Sequence, residues 1–240
     1  MKKILKNEIS VVILAGGRAS RMGGKDKGLI ELDGAPLIAY VHEVVKNKAS
    51  HIFISANRNT EQYSLYGEVI IDDLKDFQGP LAGISKALKS CETKYLLVLP
   101  CDSPYIDSKL IDDMIAAMSL SDSDICVAHD GSIMHATFAL MKSNLCKSLE
   151  HFLNDGGRKM AHWYRQQNIE RVDVSNRLEV LTNLNKPEDL DFSFFQCFFF
   201  SSSCDLDFTQ FSDFVVDSFF QNGASVFKKS IIKLHESKAS

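Results

Sequence analysis

The sequence contains no closely spaced pair of cysteines. Its six cysteines are scattered along 240 residues without a C-x-x-C motif, which excludes the common zinc spacings and favours free thiols in a reducing cytosol. No apolar run reaches the ~20 residues of a membrane-spanning helix, and residues 1–8 are not followed by the apolar segment of a signal peptide. We therefore expect a cytoplasmic protein that makes no membrane contact.

The chain also lacks a strong excess of either charge. It has 27 Lys and Arg against 31 Asp and Glu, a formal net charge of −4, so we expect no bulk binding of nucleic acid. Four cations nevertheless fall within one short segment, at Arg18, Arg21, Lys25 and Lys27. A local concentration of positive charge on a weakly acidic protein suits a small anionic ligand.

This cationic segment follows a strand-like run and is rich in glycine. Residues 9–14 are apolar at every position except Ser10 and mostly β-branched, as expected of a strand buried on both faces of a parallel sheet. Glycines at 16, 17, 23 and 24 then allow sharp turns and bring backbone N–H groups close to phosphate. The spacing fits neither the P-loop nor the G-x-G-x-x-G dinucleotide fingerprint. Strand, glycines and cations together predict a polyphosphate site.

Strand and helix patterns alternate along the following residues. Strand-like runs at 51–55, 69–73 and 95–100 are separated by helical patterns at 37–48 and from 80 onwards. This order predicts an α/β fold with a mostly parallel sheet and helices on both faces. Ligands of such sheets bind beyond the carboxyl ends of the strands, where the sequence places the carboxylates of Asp73 and Asp102.

The segment Leu14–Lys27, L-A-G-G-R-A-S-R-M-G-G-K-D-K, resembles the opening signature of the nucleotidyltransferases that share a Rossmann-like fold. Further motifs of one such family, the molybdenum cofactor guanylyltransferases, follow in order up to about residue 190. They are S-A-N-R at 55–58, G-P-L-A-G at 79–83, P-C-D-S-P at 100–104 and T-N-L-N-K-P-E-D-L at 182–190. The resemblance implies a three-layer α/β/α nucleotidyltransferase fold. As activity it implies transfer of GMP from GTP to molybdopterin, or to its molybdenum-bearing form, with release of pyrophosphate.

The resemblance also implies a set of residues that hold the nucleotide. We expect GTP to contact Leu14, Ala15, Gly16, Gly17, Lys27, Ser55, Asn57, Asp73, Gly79 and Asp102. Ser55 departs from the family's usual N-x-N-R motif, in which the first asparagine helps to recognise the purine. Asp102 is expected to bind Mg²⁺, which prefers one or two carboxylates together with phosphate oxygens and water. Arg21, Lys27 and Asp102 are expected to carry the catalysis, the two cations by neutralising the triphosphate.

A second set of residues is implied for the pterin substrate. Its members are His135, Arg158, Lys159, Asn183 and Asn185. A histidine near a strand edge is the alternative interpretation of His135, and a solvated helix N-terminus is the alternative for Arg158 and Lys159. Asn185 is also expected to cap a helix that starts near residue 187.

The composition changes abruptly near Phe192. Twelve of the sixteen phenylalanines lie between Phe192 and Phe227, without a helical or alternating period. We predict a nucleotidyltransferase domain over residues 1–192, followed over 193–240 by a poorly ordered Phe/Ser-rich tail without an assigned role.

Related activities stay open at this point. A cytidylyltransferase for the same pterin, a sugar-phosphate nucleotidyltransferase or a non-catalytic carrier of the nucleotide cofactor would need a similar site. The double glycine of L-A-G-G favours guanylyl transfer, and the full set of cations and aspartates favours an enzyme over a carrier. We further expect a monomer that makes transient contacts with proteins of cofactor biosynthesis and molybdoenzyme maturation.

Overall fold

The computed structural model describes residues 4–16, 26–71 and 79–184. All of them belong to the first of two units of the chain, Met1–Lys186. The predicted boundary at 192/193 and the predicted tail concern residues outside the described ranges, and they stay predictions.

The described residues form nine strands and six α-helices. The strands are β1 Ile9–Leu14, β2 Glu31–Leu32, β3 Ala35–Pro36, β4 His51–Ser55, β5 Glu68–Ile70, β6 Tyr95–Pro100, β7 Ile125–His129, β8 Met134–Lys142 and β9 Ile169–Asp173. The helices are α1 Leu37–Val45, α2 Thr60–Tyr63, α3 Pro80–Ser90, α4 Ser108–Leu120, α5 Cys146–Asn154 and α6 Met160–Tyr164. Short 3₁₀ turns lie at Lys6–Glu8, Lys27–Leu29, Ser143–Leu145 and Leu178–Leu181.

Seven of these strands make one sheet within the described part of the chain, in the order β5-β4-β1-β6-β8-β7-β9. Strands β5, β4, β1 and β6 run parallel to one another. Strand β8 runs antiparallel to both β6 and β7, and β9 is parallel to β7. The predicted mostly parallel α/β sheet is confirmed, with one reversed strand inside it.

The core has two parts because the sheet is covered on both faces. On one face, Val11 and Ile13 of β1 pack with residues of α1 and α4. On the other face, Val12 packs with residues of α3, α5 and α6. All three β1 residues are completely buried, as expected for a central strand of a parallel sheet between two helical layers. Alternation of side chains along β1 thus produces the predicted three-layer arrangement.

A two-stranded hairpin, β2–β3, is separate from the seven-stranded sheet. The β2–β3 hairpin turns at Asp33 and Gly34, both at positive φ (50° and 84°), the backbone that a two-residue primed turn requires. No helix in the three described ranges is long and apolar enough to cross a membrane.

Candidate active site

Three neighbouring strands end at the same level. Leu14 at the end of β1 is in register with Ser55 of β4 and with Pro100 of β6. Backbone pairing continues for one residue beyond each strand, since Ala15 N donates to Ser55 O (2.9 Å) and Cys101 N donates to Leu14 O (3.2 Å). Ala15 and Gly16, where the glycine-rich segment begins, therefore lie beside Ser55 at the carboxyl edge of the sheet.

The side chain of Ser55 points towards helix α3. An added Cβ at Gly83 would lie 2.1 Å from Ser55 Oγ and 2.9 Å from Ser55 Cβ, so a glycine is required on the first turn of α3. Ser55 is only 6% exposed. Ser55 therefore contacts the start of the glycine-rich segment through its backbone carbonyl, which accepts the hydrogen bond from Ala15 N.

A lysine and an aspartate from distant motifs meet at this edge. Lys27 Nζ lies 3.2 Å from Asp102 Oδ2, and the two side chains are 27% and 11% exposed. Lys27 lies in a 3₁₀ turn after the glycine-rich segment, and Asp102 follows the end of β6. The ion pair joins the two residues that the sequence assigns to the triphosphate and to the metal.

The loop after β6 is also tied to the last described residues. Leu184 N donates to Asp102 O (2.9 Å), and Ser103 Oγ donates to Asn183 Oδ1 (2.5 Å). Ser103 is completely buried, so this contact is shielded from solvent. Asn183, predicted to contact the pterin, is therefore hydrogen-bonded to the residue that follows Asp102.

Asp102 has the chemistry that a magnesium ion needs. Within residues 4–16, 26–71 and 79–184, no group of three or more His, Cys, Asp or Glu side chains could hold a metal by itself. Mg²⁺ is usually held by one or two carboxylates while substrate phosphates and water supply the other ligands. A single carboxylate that follows strand β6, next to the cation of Lys27, fits such a shared site.

Asp26 is a buried carboxylate that the sequence did not single out. It is 7% exposed, and its oxygens accept hydrogen bonds from the Tyr63 hydroxyl and from Asn59 Nδ2 (3.2 Å). Arg58 Nε lies 3.3 Å from its Oδ2. These contacts join the end of the glycine-rich segment to the S-A-N-R motif and to α2. The partners of Asp26 are more than thirty positions away, so that no local pattern marks it.

A second group of polar residues lies at the turn between β7 and β8. Because β8 is antiparallel to β6 and to β7, this turn is at the same edge as the ends of β1, β4 and β6. His135 Nε2 lies 2.7 Å from Asp130 Oδ2. Backbone N–H groups of Ile133 and Ser132, together with His135, lower the pKa of the Asp130 carboxyl. The turn thus presents a histidine whose ring is oriented by a carboxylate.

The remaining predicted residues occupy turns around this edge. Gly79, at φ 79°, precedes α3, and Asn57 is exposed just after β4. Arg158 donates to Leu153 O (2.8 Å) and to Gly157 O (2.6 Å), so its guanidinium caps the end of α5. Lys159 is exposed and precedes α6.

Helix α6 connects this turn to the reversed strand. Tyr164 OH donates to Ala136 O (2.9 Å), next to His135.

Four predicted residues, Gly17, Arg21, Asp73 and Asn185, lie outside the described residues.

The arrangement defines a class of protein. A doubly covered, mostly parallel sheet carries a glycine-rich segment after its central strand and a lysine–aspartate pair across the adjacent strand end. Such a site can hold a polyphosphate through backbone amides and a cation, with a carboxylate placed for a divalent metal. These are the features of an α/β nucleotide-binding enzyme.

Comparison with known proteins identifies the family to which the chain belongs within this class. A family model for the MobA-like NTP transferase domain matches residues 11–172. A molybdenum cofactor guanylyltransferase from Vibrio atlanticus is 44% identical over 187 residues, which covers 78% of this chain and 96% of the relative. One from Vibrio parahaemolyticus is 45% identical over 183 residues, covering 76% and 93%. The chain belongs to the MobA-like NTP transferase family, and it is a nucleotidyltransferase.

Solved structures agree on the fold. The molybdopterin-guanine dinucleotide biosynthesis protein A from Archaeoglobus fulgidus superposes with a TM-score of 0.65 at 22% identity, covering 78% of this chain and 98% of that one. A nucleotidyl transferase from Methanothermobacter gives a TM-score of 0.62 at 19% identity, covering 82% of this chain and 100% of the other. The nucleotidyltransferase fold expected from the sequence is confirmed.

Proposed function

We propose that the protein transfers GMP from GTP to the terminal phosphate of molybdopterin, or of its molybdenum-bearing form, and releases pyrophosphate. The observation that carries the proposal is the contact between Lys27 and Asp102 at the ends of the central strands. It brings to one point the cation proposed to neutralise the phosphates and the carboxylate proposed to bind the metal. The names of relatives that are 44% and 45% identical over nearly their whole length support the choice of both substrates.

The reaction requires two anions to meet. An oxygen of the pterin phosphate attacks the α-phosphorus of GTP, a new P–O bond forms, and the bond from the α-phosphorus to the α,β-bridging oxygen breaks. Pyrophosphate departs with that electron pair. Because the attacking phosphate is already ionised, the reaction needs neither a protein nucleophile nor a strong general base.

The protein contributes charge and position. Lys27, with Arg21, neutralises the triphosphate, and the negative charge that develops on pyrophosphate increases the value of these contacts in the transition state. Asp102 would hold Mg²⁺, which when bound neutralises phosphate oxygens and orients them. Backbone amides of the glycine-rich segment that begins at Gly16, and the side chains near Ser55 and Asn57, would hold the nucleotide.

The pterin would bind on the other side of Asp102. Asn183 and His135 lie at the same edge of the sheet, and Arg158 and Lys159 occupy the turn before α6. In this proposal the acceptor phosphate binds beside the carboxylate of Asp102.

The direct test is product formation with purified protein. GTP or CTP is supplied with molybdopterin and Mg²⁺, pyrophosphate release is followed, and the dinucleotide is identified by mass spectrometry. We expect the guanine dinucleotide and pyrophosphate in equal amounts. Faster turnover of CTP, or turnover of sugar phosphates in place of the pterin, would contradict the proposal.

Lys27→Ala tests the triphosphate contact. A cation directed at the β- and γ-phosphates has little to contact in GMP. We therefore expect the Kd of GTP to rise about tenfold or more, a loss of about 1.4 kcal/mol, and that of GMP by less than about twofold. Lys48→Ala is the matched control, because Lys48 pairs with Asp112 at 2.6 Å on the protein surface. Equal losses for GTP and GMP would place Lys27 elsewhere.

A further inference from the structure

Asp26 makes an unusual set of contacts for a residue beside a predicted triphosphate site. Its side chain is 3% exposed and lies 3.3 Å from Arg58 Nε. The Tyr63 hydroxyl donates to one carboxylate oxygen and Asn59 Nδ2 to the other. Burying a carboxylate is costly unless it is paired and hydrogen-bonded, and Asp26 meets both conditions.

Electrostatics alone does not explain a carboxylate here. A negative charge adjoining Lys27 opposes the binding of a triphosphate, so Asp26 works against the ligand unless it contributes through geometry. Its backbone points to such a contribution, since Leu29 N donates to Asp26 O (3.1 Å). Asp26 therefore initiates the 3₁₀ turn Lys27–Leu29 that carries Lys27.

The partners of Asp26 are themselves fixed. Tyr63 is completely buried, and desolvation by burial, with the nearby Cys101 and Asp26, raises the pKa of its hydroxyl. Tyr63 thus remains a hydrogen-bond donor throughout the physiological pH range. Gly28 closes the arrangement, because a Cβ there would lie 2.6 Å from the Tyr63 hydroxyl and 3.1 Å from Cys101 Sγ.

We propose that Asp26 is a positioning residue for GTP binding. By anchoring the end of the glycine-rich segment to Arg58, Asn59 and Tyr63, it holds the Lys27 ammonium beside Asp102. This assignment rests on the proposed function, in which Lys27 contacts the triphosphate. It also gives the S-A-N-R motif a second purpose, since Arg58 links the end of β4 to the cation that neutralises the phosphates.

Two substitutions separate geometry from charge. Asp26→Asn keeps the shape but loses the ion pair with Arg58, and it also removes a negative charge near the ligand. Tyr63→Phe removes one hydrogen bond and leaves every charge in place. Tyr164→Phe is the control, because Tyr164 is equally buried and donates one hydrogen bond, to Ala136 O (2.9 Å), away from Lys27.

The measurements are the Kd values of GTP, GMP and inorganic tripolyphosphate, with thermal unfolding of each variant. We expect Asp26→Asn to weaken GTP and tripolyphosphate about tenfold and Tyr63→Phe about threefold, while GMP changes by less than about twofold. Tyr164→Phe should lower the melting temperature without changing these constants. A merely structural role would reduce the active fraction and leave the ratio of GTP to GMP affinity unchanged.

A double-mutant cycle completes the test. If Asp26 acts through Lys27, Asp26→Asn and Tyr63→Phe should not weaken GTP binding further in a Lys27→Ala background. Unchanged or tighter GTP binding in Tyr63→Phe, equal losses for GTP and GMP, or additive losses with Lys27→Ala would overturn the assignment. Should Asp26→Asn fail to fold, Tyr63→Phe decides alone.

Tripolyphosphate binding and GMP transfer, measured on the same protein preparation, distinguish a failure of this assignment from a failure of the proposed reaction. Lys27-dependent binding of tripolyphosphate without GMP transfer to molybdopterin would overturn the proposed reaction and leave the role of Asp26 standing.

Discussion

Asp102→Asn should abolish most turnover while leaving the fold nearly intact. At 3.2 Å from Lys27, the full Coulomb energy of the pair is about 5 kcal/mol at an effective dielectric constant near 20. Most of this is offset by desolvation, and asparagine still offers an oxygen to the lysine, so the net loss should be about 1 kcal/mol. For a domain of this size that corresponds to a fall of about 2–4 °C in melting temperature. Loss of the carboxylate proposed to bind the metal should lower kcat about 10²-fold, equivalent to about 2.7 kcal/mol of barrier.

The assay compares kcat, the Mg²⁺ dependence of the rate and thermal unfolding for the wild type and the variant. Asp112→Asn serves as the control, since Asp112 forms a 2.6 Å ion pair with Lys48 on the surface and has no proposed role in turnover. We expect the control to keep its kcat. An Asp102→Asn enzyme with more than about a tenth of wild-type kcat, a barrier increase under 1.4 kcal/mol, would refute the metal assignment.

Three further predictions concern other parts of the chain. Gly83→Ala should cost about 1–3 kcal/mol of unfolding free energy through overpacking against Ser55, and Ser55→Gly should restore part of it in denaturant unfolding; an undestabilised variant would contradict the contact. A chain ending at Phe192 should keep its guanylyltransferase rate and scatter less light, because the curated relatives are covered over 93–96% of their length by at most 78% of this chain; loss of activity would make the tail integral to the domain. The pKa of Asp130 is lower in the folded protein than its ordinary value near 3.8, so its ionised carboxyl group contributes fully to the stability of the fold above about pH 3.8. This contribution is lost as the pH falls through the lower pKa of the folded state. The stability advantage of the wild type over Asp130→Asn at about pH 5 should therefore shrink by about pH 2, and an undiminished advantage there would count against it.

Much of the fold could be predicted because its strands are short, apolar and evenly spaced. The runs at 9–14, 51–55 and 95–100 correspond to β1, β4 and β6 with the same bounds. The reversal of β8 was not predicted, since alternation of side chains is identical in parallel and antiparallel strands. Helix α2, Thr60–Tyr63, was also missed, because one turn is too short to establish a helical period.

The site was predictable where the motifs carry it and not where distant contacts create it. The sequence places Lys27 and Asp102 in separate motifs, and strand order alone brings both to one edge. Their 3.2 Å contact joins residues 75 positions apart, and no local pattern predicts a contact over that distance. The role of Asp26 depends on Tyr63, 37 positions away, and a buried hydrogen bond of that kind has no sequence period.

The pairing of β6 with β8 separates two halves of the protein. Strands β5, β4, β1 and β6 support the proposed nucleotide side, while β8, β7 and β9 support the proposed pterin side. The halves join through main-chain pairing from Tyr95–Lys142 to Val98–Ala139 and through buried side chains of both halves, such as Leu97 and Leu140, in the same core cluster. Substitutions at exposed loop positions beyond β8 can therefore change the contacts with the acceptor substrate while the pairing of β6 with β8 stays in place. A fold divided in this way can take new acceptor substrates while it binds the nucleotide in the same manner.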